Sequence, residues 1–201
     1  MSMFFRVSKL ALLSAVAVSG LLVSPRGGVA QAEPAAGVSP RAAGAAHRDE
    51  KDPRWVWGTV TVDTPQDEVW SRFQQVQSWP ALLSDIARLQ VTDHRDNHWD
   101  IKLETKTLGH GMLGYAVDAS PDHVIRLKTD TLGVHALAVT RVLPGPTAKQ
   151  TNVSYALFLE LKGAPSLLIS QQTLRQKQDH MVSVSLADIG RSFGAATSAV
   201  P

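Results

Sequence analysis

The stretch from Trp55 to Leu103 constrains what this chain can fold into more than any other part of its 201 residues. Residues 55–62 (WVWGTVTV) alternate Trp55, Trp57, Thr59 and Thr61 against Val56, Gly58, Val60 and Val62, with the β-branched and aromatic bias of a strand. Thr64 then offers a side-chain oxygen as N-cap, Pro65 suits the first helical position, and Asp67 and Glu68 complement the positive end of the helix dipole. Val69, Phe73 and Val76 recur at i, i+4 and i+7, which gives one apolar stripe to lay against a sheet. Trp79-Pro80 limits that helix and opens a second short one.

Period-2 patterns take over after Asp85. Leu89 and Val91, then Trp99, Ile101 and Leu103, alternate with polar residues as half-buried strands do. His94-Arg95-Asp96-Asn97 supplies a turn, and Pro121-Asp122, Leu132-Gly133 and Pro144-Gly145-Pro146 punctuate four further strand candidates, MLGYAVDA, VIRLKTD, VHALAVTRVL and NVSYALFLEL. There is room for about six strands between Ala87 and Lys162, hence about seven in all. After Gly163-Ala164-Pro165, no Pro or strong turn cluster interrupts Ser166 to Phe193, which predicts a helix of about 40 Å. Leu167, Leu174, Met181 and Ile189 fall near one stripe of it, whereas Val182, Val184 and several Ser blur the pattern. A helix lining a cavity, or one interrupted near Asp179, would look like this. The predicted class is α+β, with an antiparallel sheet wrapped around a long C-terminal helix and two short helices after the first strand.

Arg6 and Lys9 precede an apolar run from Leu10 to Val23 that is short for a bilayer span, and Ala30-Gln31-Ala32 has the small residues a signal peptidase reads. Residues 1–32 are therefore expected to be a signal peptide cleaved before Glu33, giving an exported, soluble protein, periplasmic or secreted, with no stable membrane anchor. Residues 33–51, rich in Ala, Gly and Pro, read as a linker, 52–194 as the folded domain and 195–201 as a tail. Cys is absent, so no disulfide or lipidated Cys is available. Removing residues 1–32 takes away Arg6, Lys9 and Arg26 and no acidic residue, so the formal charge falls from +2 to about −1. With no Lys/Arg stripe interleaved with aromatics, nucleic-acid binding is not expected.

The segment TPQDEVWSRFQQVQSWPALLSDIARLQV, with its Pro-led helix after the first strand, its Trp79-Pro80 bend and the later Val142-Leu143-Pro144, resembles the SRPBCC or START-like superfamily, in particular its polyketide cyclase/dehydrase and lipid-transport branch. The resemblance covers Trp55 to about Phe193. It implies a helix-grip fold with an apolar tunnel between sheet and helix, which in different members takes lipids, isoprenoids or polyketides. The same cavity serves carriers, cyclases and regulators, so the fold alone does not select an activity.

None of the spacings GxSxG, HExxH, GxxxxGK[ST] or a strand-borne GxGxxG is present, and no metal, nucleotide or other cofactor is expected. His94, Asp96 and His98 read as a solvated hairpin tip. A cyclase or dehydratase would need a general acid or base in the tunnel. His110, His123, His135 and Asp118 lie on or beside the middle strands, and His135, between Val134 and Ala136, is the catalytic candidate. Arg126 reads as solvent-facing. Tyr115 is in phase with Leu113 and Val117, and Tyr155 with Leu157. These five residues, with Trp99, are the candidate ligand contacts, either hydroxyl serving to orient a ligand's polar end. Three functions are compatible with the chain. The leading one is a protein that binds or carries a hydrophobic small molecule. The others are a cyclase or dehydratase using His135 or a cavity Tyr, and an interaction protein with a vestigial cavity.

Overall fold

The computed structural model describes residues 44–109 and 111–195. The expected signal peptide, most of the expected linker, nearly all of the tail and His110 lie outside the described residues. In chain order the elements are β1 (His47–Arg48), β2 (Trp55–Val62), α1 (Gln66–Gln74), a 3-10 turn (Val76–Ser78) and α2 (Trp79–Leu82). There follow β3 (Ile86–Arg95), β4 (His98–Thr105), β5 (Leu113–Ser120), β6 (Val124–Thr131), β7 (Val134–Pro144), β8 (Thr151–Leu161), α3 (Ala164–Leu168) and α4 (Gln171–Phe193). The strands form one antiparallel sheet in the order β1-β2-β8-β7-β6-β5-β4-β3. This is an α+β helix-grip: the sheet packs its inner face on α4, with α1 and α2 closing one side.

The sheet has eight strands where about seven were expected. The added one is β1, in the stretch read as linker, where His47 and Arg48 pair with Trp57 and Val56. A two-residue edge strand needs only main-chain pairing and leaves no periodic signature. Side chains reinforce it: the His47 ring lies 5.1 Å from that of Trp57, and Arg48 forms an ion pair with Asp179 of α4.

On β2, Val56, Val60 and Val62 are buried and Trp57 faces out. Gly58 shares the inner face, where a Cβ would come within 2.4 Å of the Leu186 methyl. A glycine here lets α4 settle directly on the strand. The stripe Val69, Phe73 and Val76 is buried as its spacing requires, and the indole of Trp79 donates to the Phe73 carbonyl at 2.9 Å.

Two helix ends differ from expectation. Thr64 does not cap α1. Pro65 occupies the cap position without a side-chain bond, and the Thr64 hydroxyl donates instead to the Phe193 carbonyl at 2.7 Å, at the far end of α4. The C-terminal helix is also shorter than predicted, because Ile169 is extended and Ser170 starts a new helix by accepting from the Thr173 N–H at 3.1 Å. α4 then runs without a break through Asp179 for 23 residues, about 35 Å. Leu167, placed by its spacing on the buried stripe, belongs to α3 and is 86% exposed, whereas Leu174, Met181 and Ile189 are buried. The uneven polarity of α4 comes from buried polar side chains, Gln178, Ser185 and Asp188, on its sheet-facing side.

Candidate functional site

Small residues on neighbouring elements open a cavity between sheet and helix. The inward positions of β7 carry Ala136, Ala138 and Thr140, and α4 presents Ser185 towards them. Where larger side chains would meet and fill the core, these leave space. The walls are Tyr155, Leu157 and Leu159 of β8, Ile125 and Leu127 of β6, Tyr115 of β5, Leu103 of β4, Phe73 and Trp79 of the helical layer, and Met181 of α4. The cavity volume is about 80 Å³, room for on the order of five to eight waters.

The lining is chiefly apolar. Among its described residues Asp85 is the only carboxylate, and no Lys, Arg or His contributes. Burial pushes the Tyr115 hydroxyl up to about 12. Burial likewise pushes Tyr155 up to about 12, against an opposing contribution from the neighbouring Ser185 hydroxyl. Both phenols therefore keep their protons near neutral pH. They offer hydrogen-bond donors to a ligand and do not act as bases.

The rim of the cavity is held by polar contacts across three segments. One oxygen of Asp85 accepts from the Thr107 N–H at 2.9 Å and from its hydroxyl at 2.6 Å. The ammonium of Lys106 donates to the Ser84 carbonyl at 2.6 Å, and that of Lys177, on α4, donates to the Thr107 carbonyl. Asp188, buried in α4, accepts from the Ser84 N–H at 2.6 Å. Arg191 lies 2.9 Å from its other oxygen, an ion-pair contact too oblique for a hydrogen bond. The segments 83–85 and 106–108 are thus fastened to each other and to α4. Asp85 lines both the cavity and an outer recess that includes Lys106, Lys177 and His180.

Of the residues singled out from the sequence, Tyr115, Tyr155 and Leu157 meet at this cavity. Leu113, Val117 and Trp99 point to the same side of the sheet and are buried, but they pack in the core and do not line it. The Trp99 ring stacks on His94 at 4.8 Å.

His135 is on the outer face, and its candidacy as a cavity acid or base fails on geometry. The inward positions of β7 are Ala136, Ala138 and Thr140, so His135 is out of phase with them. Its ring meets Phe158 edge-on at 5.5 Å, and its Nδ1 lies 3.6 Å from Asp130. The sequence could not choose between the faces because Leu137 and Val139, which accompany His135 outside, are as apolar as the inner set. His123 occupies the β5–β6 turn at φ 57°, its ring edge-on to Trp70 at 5.0 Å. Asp118 pairs with His98 at 2.7 Å, which raises the His98 pKa above its usual value, and Arg126 is exposed. No three of the described His, Asp and Glu side chains gather as a metal site would require. Asp85, Ser185, Asp188 and the two alanines were not anticipated. Their significance lies in what they face across the fold.

No family model matches the chain, and no curated protein matches it in sequence. Among solved structures it is similar to the Zhui aromatase/cyclase of a Streptomyces species, at 18% identity over 69% of this chain and 92% of that one, with a TM-score of 0.57. A START superfamily protein from Mycobacterium smegmatis aligns at 14% identity over 68% of this chain and 95% of that one, with a TM-score of 0.57. The di-domain ARO/CYC StfQ of the steffimycin biosynthetic pathway aligns at 14% identity over 69% of this chain and 50% of that one, with a TM-score of 0.51. The chain therefore has the START-like fold of the SRPBCC proteins.

Proposed function

We propose that this protein binds a compact, chiefly apolar small molecule in the cavity between the sheet and α4, and that it does so as an exported carrier or sequestering protein without catalysing a reaction. The observation that carries the reading is the lining itself: apolar walls from β4 to β8, two neutral phenols, and one carboxylate whose oxygen is already engaged by Thr107. Such a site gains its affinity from removing apolar surface from water and uses its few polar groups for orientation. A lipid-, isoprenoid- or polyketide-like compound with a hydroxyl or carbonyl fits it. Solved relatives of this fold include aromatase/cyclases and START proteins, which is consistent with an apolar cargo.

Catalysis on a polyketide-like substrate has less support. It would require a base in the cavity: His135 is outside, the phenols stay protonated, and Asp85, the one carboxylate of the lining, is tied to Thr107 through one oxygen. Export is proposed from the charged and apolar order of residues 1–32.

The test is mass spectrometry of gently extracted protein together with uptake of two compact fluorescent apolar probes, one neutral and one carrying a carboxylate. A co-purifying apolar compound, displaceable by either probe, supports the reading. Ligand-free protein that takes up neither probe overturns it.

A further inference from the structure

Asp85, between α2 and β3, lines both the cavity and the recess outside it. The Thr107 N–H and hydroxyl both donate to one of its oxygens, Oδ1, at 2.9 and 2.6 Å. The other, Oδ2, has no hydrogen-bond partner among the described residues and is not buried. Lys106 and Lys177 share the recess with Asp85, but their ammonium groups donate to the Ser84 and Thr107 carbonyls. The contacts that fasten the rim therefore do not use Oδ2, and one strong acceptor is left over at the mouth of an apolar space.

Its immediate neighbours in the lining are apolar, Leu83, Ile86 and Leu108. The polar groups further in are donors. The Tyr115 hydroxyl has no partner among the described residues and is not sealed off by them, so it opens into the cavity. The Tyr155 hydroxyl lies beside that of Ser185. Burial is the main reason that Tyr155 keeps its proton, and the charge of Asp85 adds to it, which puts carboxylate and phenol within electrostatic reach of each other. One acceptor at the mouth and donors behind it make a polar pattern with a direction.

From this arrangement we infer that Asp85 determines which molecules the cavity accepts: its Oδ2 takes a hydrogen bond from a hydroxyl at the outer end of a neutral, compact, apolar molecule. The inference rests on the reading that the cavity holds an apolar small molecule, and adds the chemistry of the end that is recognised. A hydroxyl meets the carboxylate by a charge-assisted bond. An apolar end of the same size strips water from Oδ2 and puts nothing in its place. A carboxylate there sets a second negative charge against Asp85, and an ammonium loses its hydration among apolar walls for a pairing that seldom repays the loss. Sites that bond a ligand's hydroxyl discriminate against the analogue lacking it more strongly than apolar walls discriminate by a methylene.

Benzyl alcohol, ethylbenzene, benzylammonium and benzoate place a hydroxyl, a methyl, an ammonium or a carboxylate at the same end of one ring. Each competes with the neutral fluorescent probe for the full-length protein and for its Asp85→Asn variant. The alcohol should bind roughly tenfold more tightly than ethylbenzene, and more tightly than either ion. In Asp85→Asn, whose amide oxygen still accepts from Thr107, the preference for alcohol over ethylbenzene should fall to about threefold or less while ethylbenzene binds as before, and benzoate should gain. Equal binding of alcohol and ethylbenzene by the unaltered protein overturns the inference, as does tighter binding of either ion, and neither result depends on how the variant folds. A preference left intact in Asp85→Asn overturns it as well, since the hydroxyl is then recognised elsewhere. In all three cases the probe and ethylbenzene still enter, and the reading of the cavity as a ligand site stands. Failure of the probe and all four compounds to bind overturns that reading, and this one with it.

Discussion

The side-chain amide of Gln178 donates to the main-chain carbonyl of Leu157 at 2.7 Å, joining the first half of the grip helix to the strand that walls the cavity. The same nitrogen donates to the Arg54 carbonyl at 2.6 Å, and Arg48 donates to its oxygen at 3.2 Å. A buried amide with every near group satisfied contributes more through what its loss exposes than through its own bonds. Gln178→Leu should therefore lower stability by about 1 to 3 kcal/mol, because the bonds that tie α4 to the Leu157 and Arg54 carbonyls and to Arg48 are lost. The midpoint of a urea unfolding curve reads this directly, and a change below about 0.5 kcal/mol would show that water replaces the amide.

Ala138 faces the cavity at the centre of β7, opposite Leu157 of β8. Ala138→Phe should fill the space and reduce affinity for a fluorescent apolar probe at least tenfold, while the thermal midpoint stays level or rises, since a void is being occupied. Leu157→Ala should do the reverse, enlarging the cavity at a cost of about 2 to 5 kcal/mol in stability. Paired probe titrations and thermal scans on the two variants separate a ligand site from plain core.

Tyr115 and Tyr155 are the two tyrosines of the chain, so phenolate absorbance reports on the cavity alone. Burial raises both to about 12, and the folded protein should show little phenolate at pH 10. The unfolded chain releases these protons near pH 10, so between about 10 and 12 the folded state binds more protons than the unfolded one. Stability must then fall as pH rises through that window. A spectrophotometric titration with a folded-state midpoint at 10 would contradict the burial of both hydroxyls.

Asp188 fixes the segment ahead of β3 by accepting from the Ser84 N–H. Asp188→Leu removes that contact and should cost about 1 to 3 kcal/mol. Its more specific effect is on exchange: with the segment 83–85 loosened, a bound probe should dissociate several times faster in stopped-flow displacement. Unchanged dissociation would locate the path for ligands away from Ser84.

Much of this fold is legible in the sequence because the informative residues act locally. Trp55–Val62 alternates over the whole of β2, Val69, Phe73 and Val76 fall on one buried stripe, and Gly, Pro and Asp mark the turns between β5 and β8. What escaped depends on relations across the fold. β1 consists of main-chain pairing with β2, and the stop before α4 depends on Ser170 choosing the Thr173 N–H over continuing a helix. The cavity is less legible still. Ala136, Ala138 and Ser185 are ordinary residues until they are seen to face one another, and His135 alternates with neighbours that would suit either face.

The bonds at the two ends of α4 have a consequence for selectivity. Towards its start Arg48 and Gln178 tie it to β1, β2 and β8. At its finish the Thr64 hydroxyl meets the Phe193 carbonyl, and the Asp63 N–H meets that of Gly194 at 2.7 Å. With Gly58 letting Leu186 rest on β2, the helix has no slack to ride outward over a larger guest. Such a vessel discriminates by capacity. Across a homologous series of alcohols, affinity should climb with each added methylene and then drop abruptly, the length at the drop measuring the depth of the chamber.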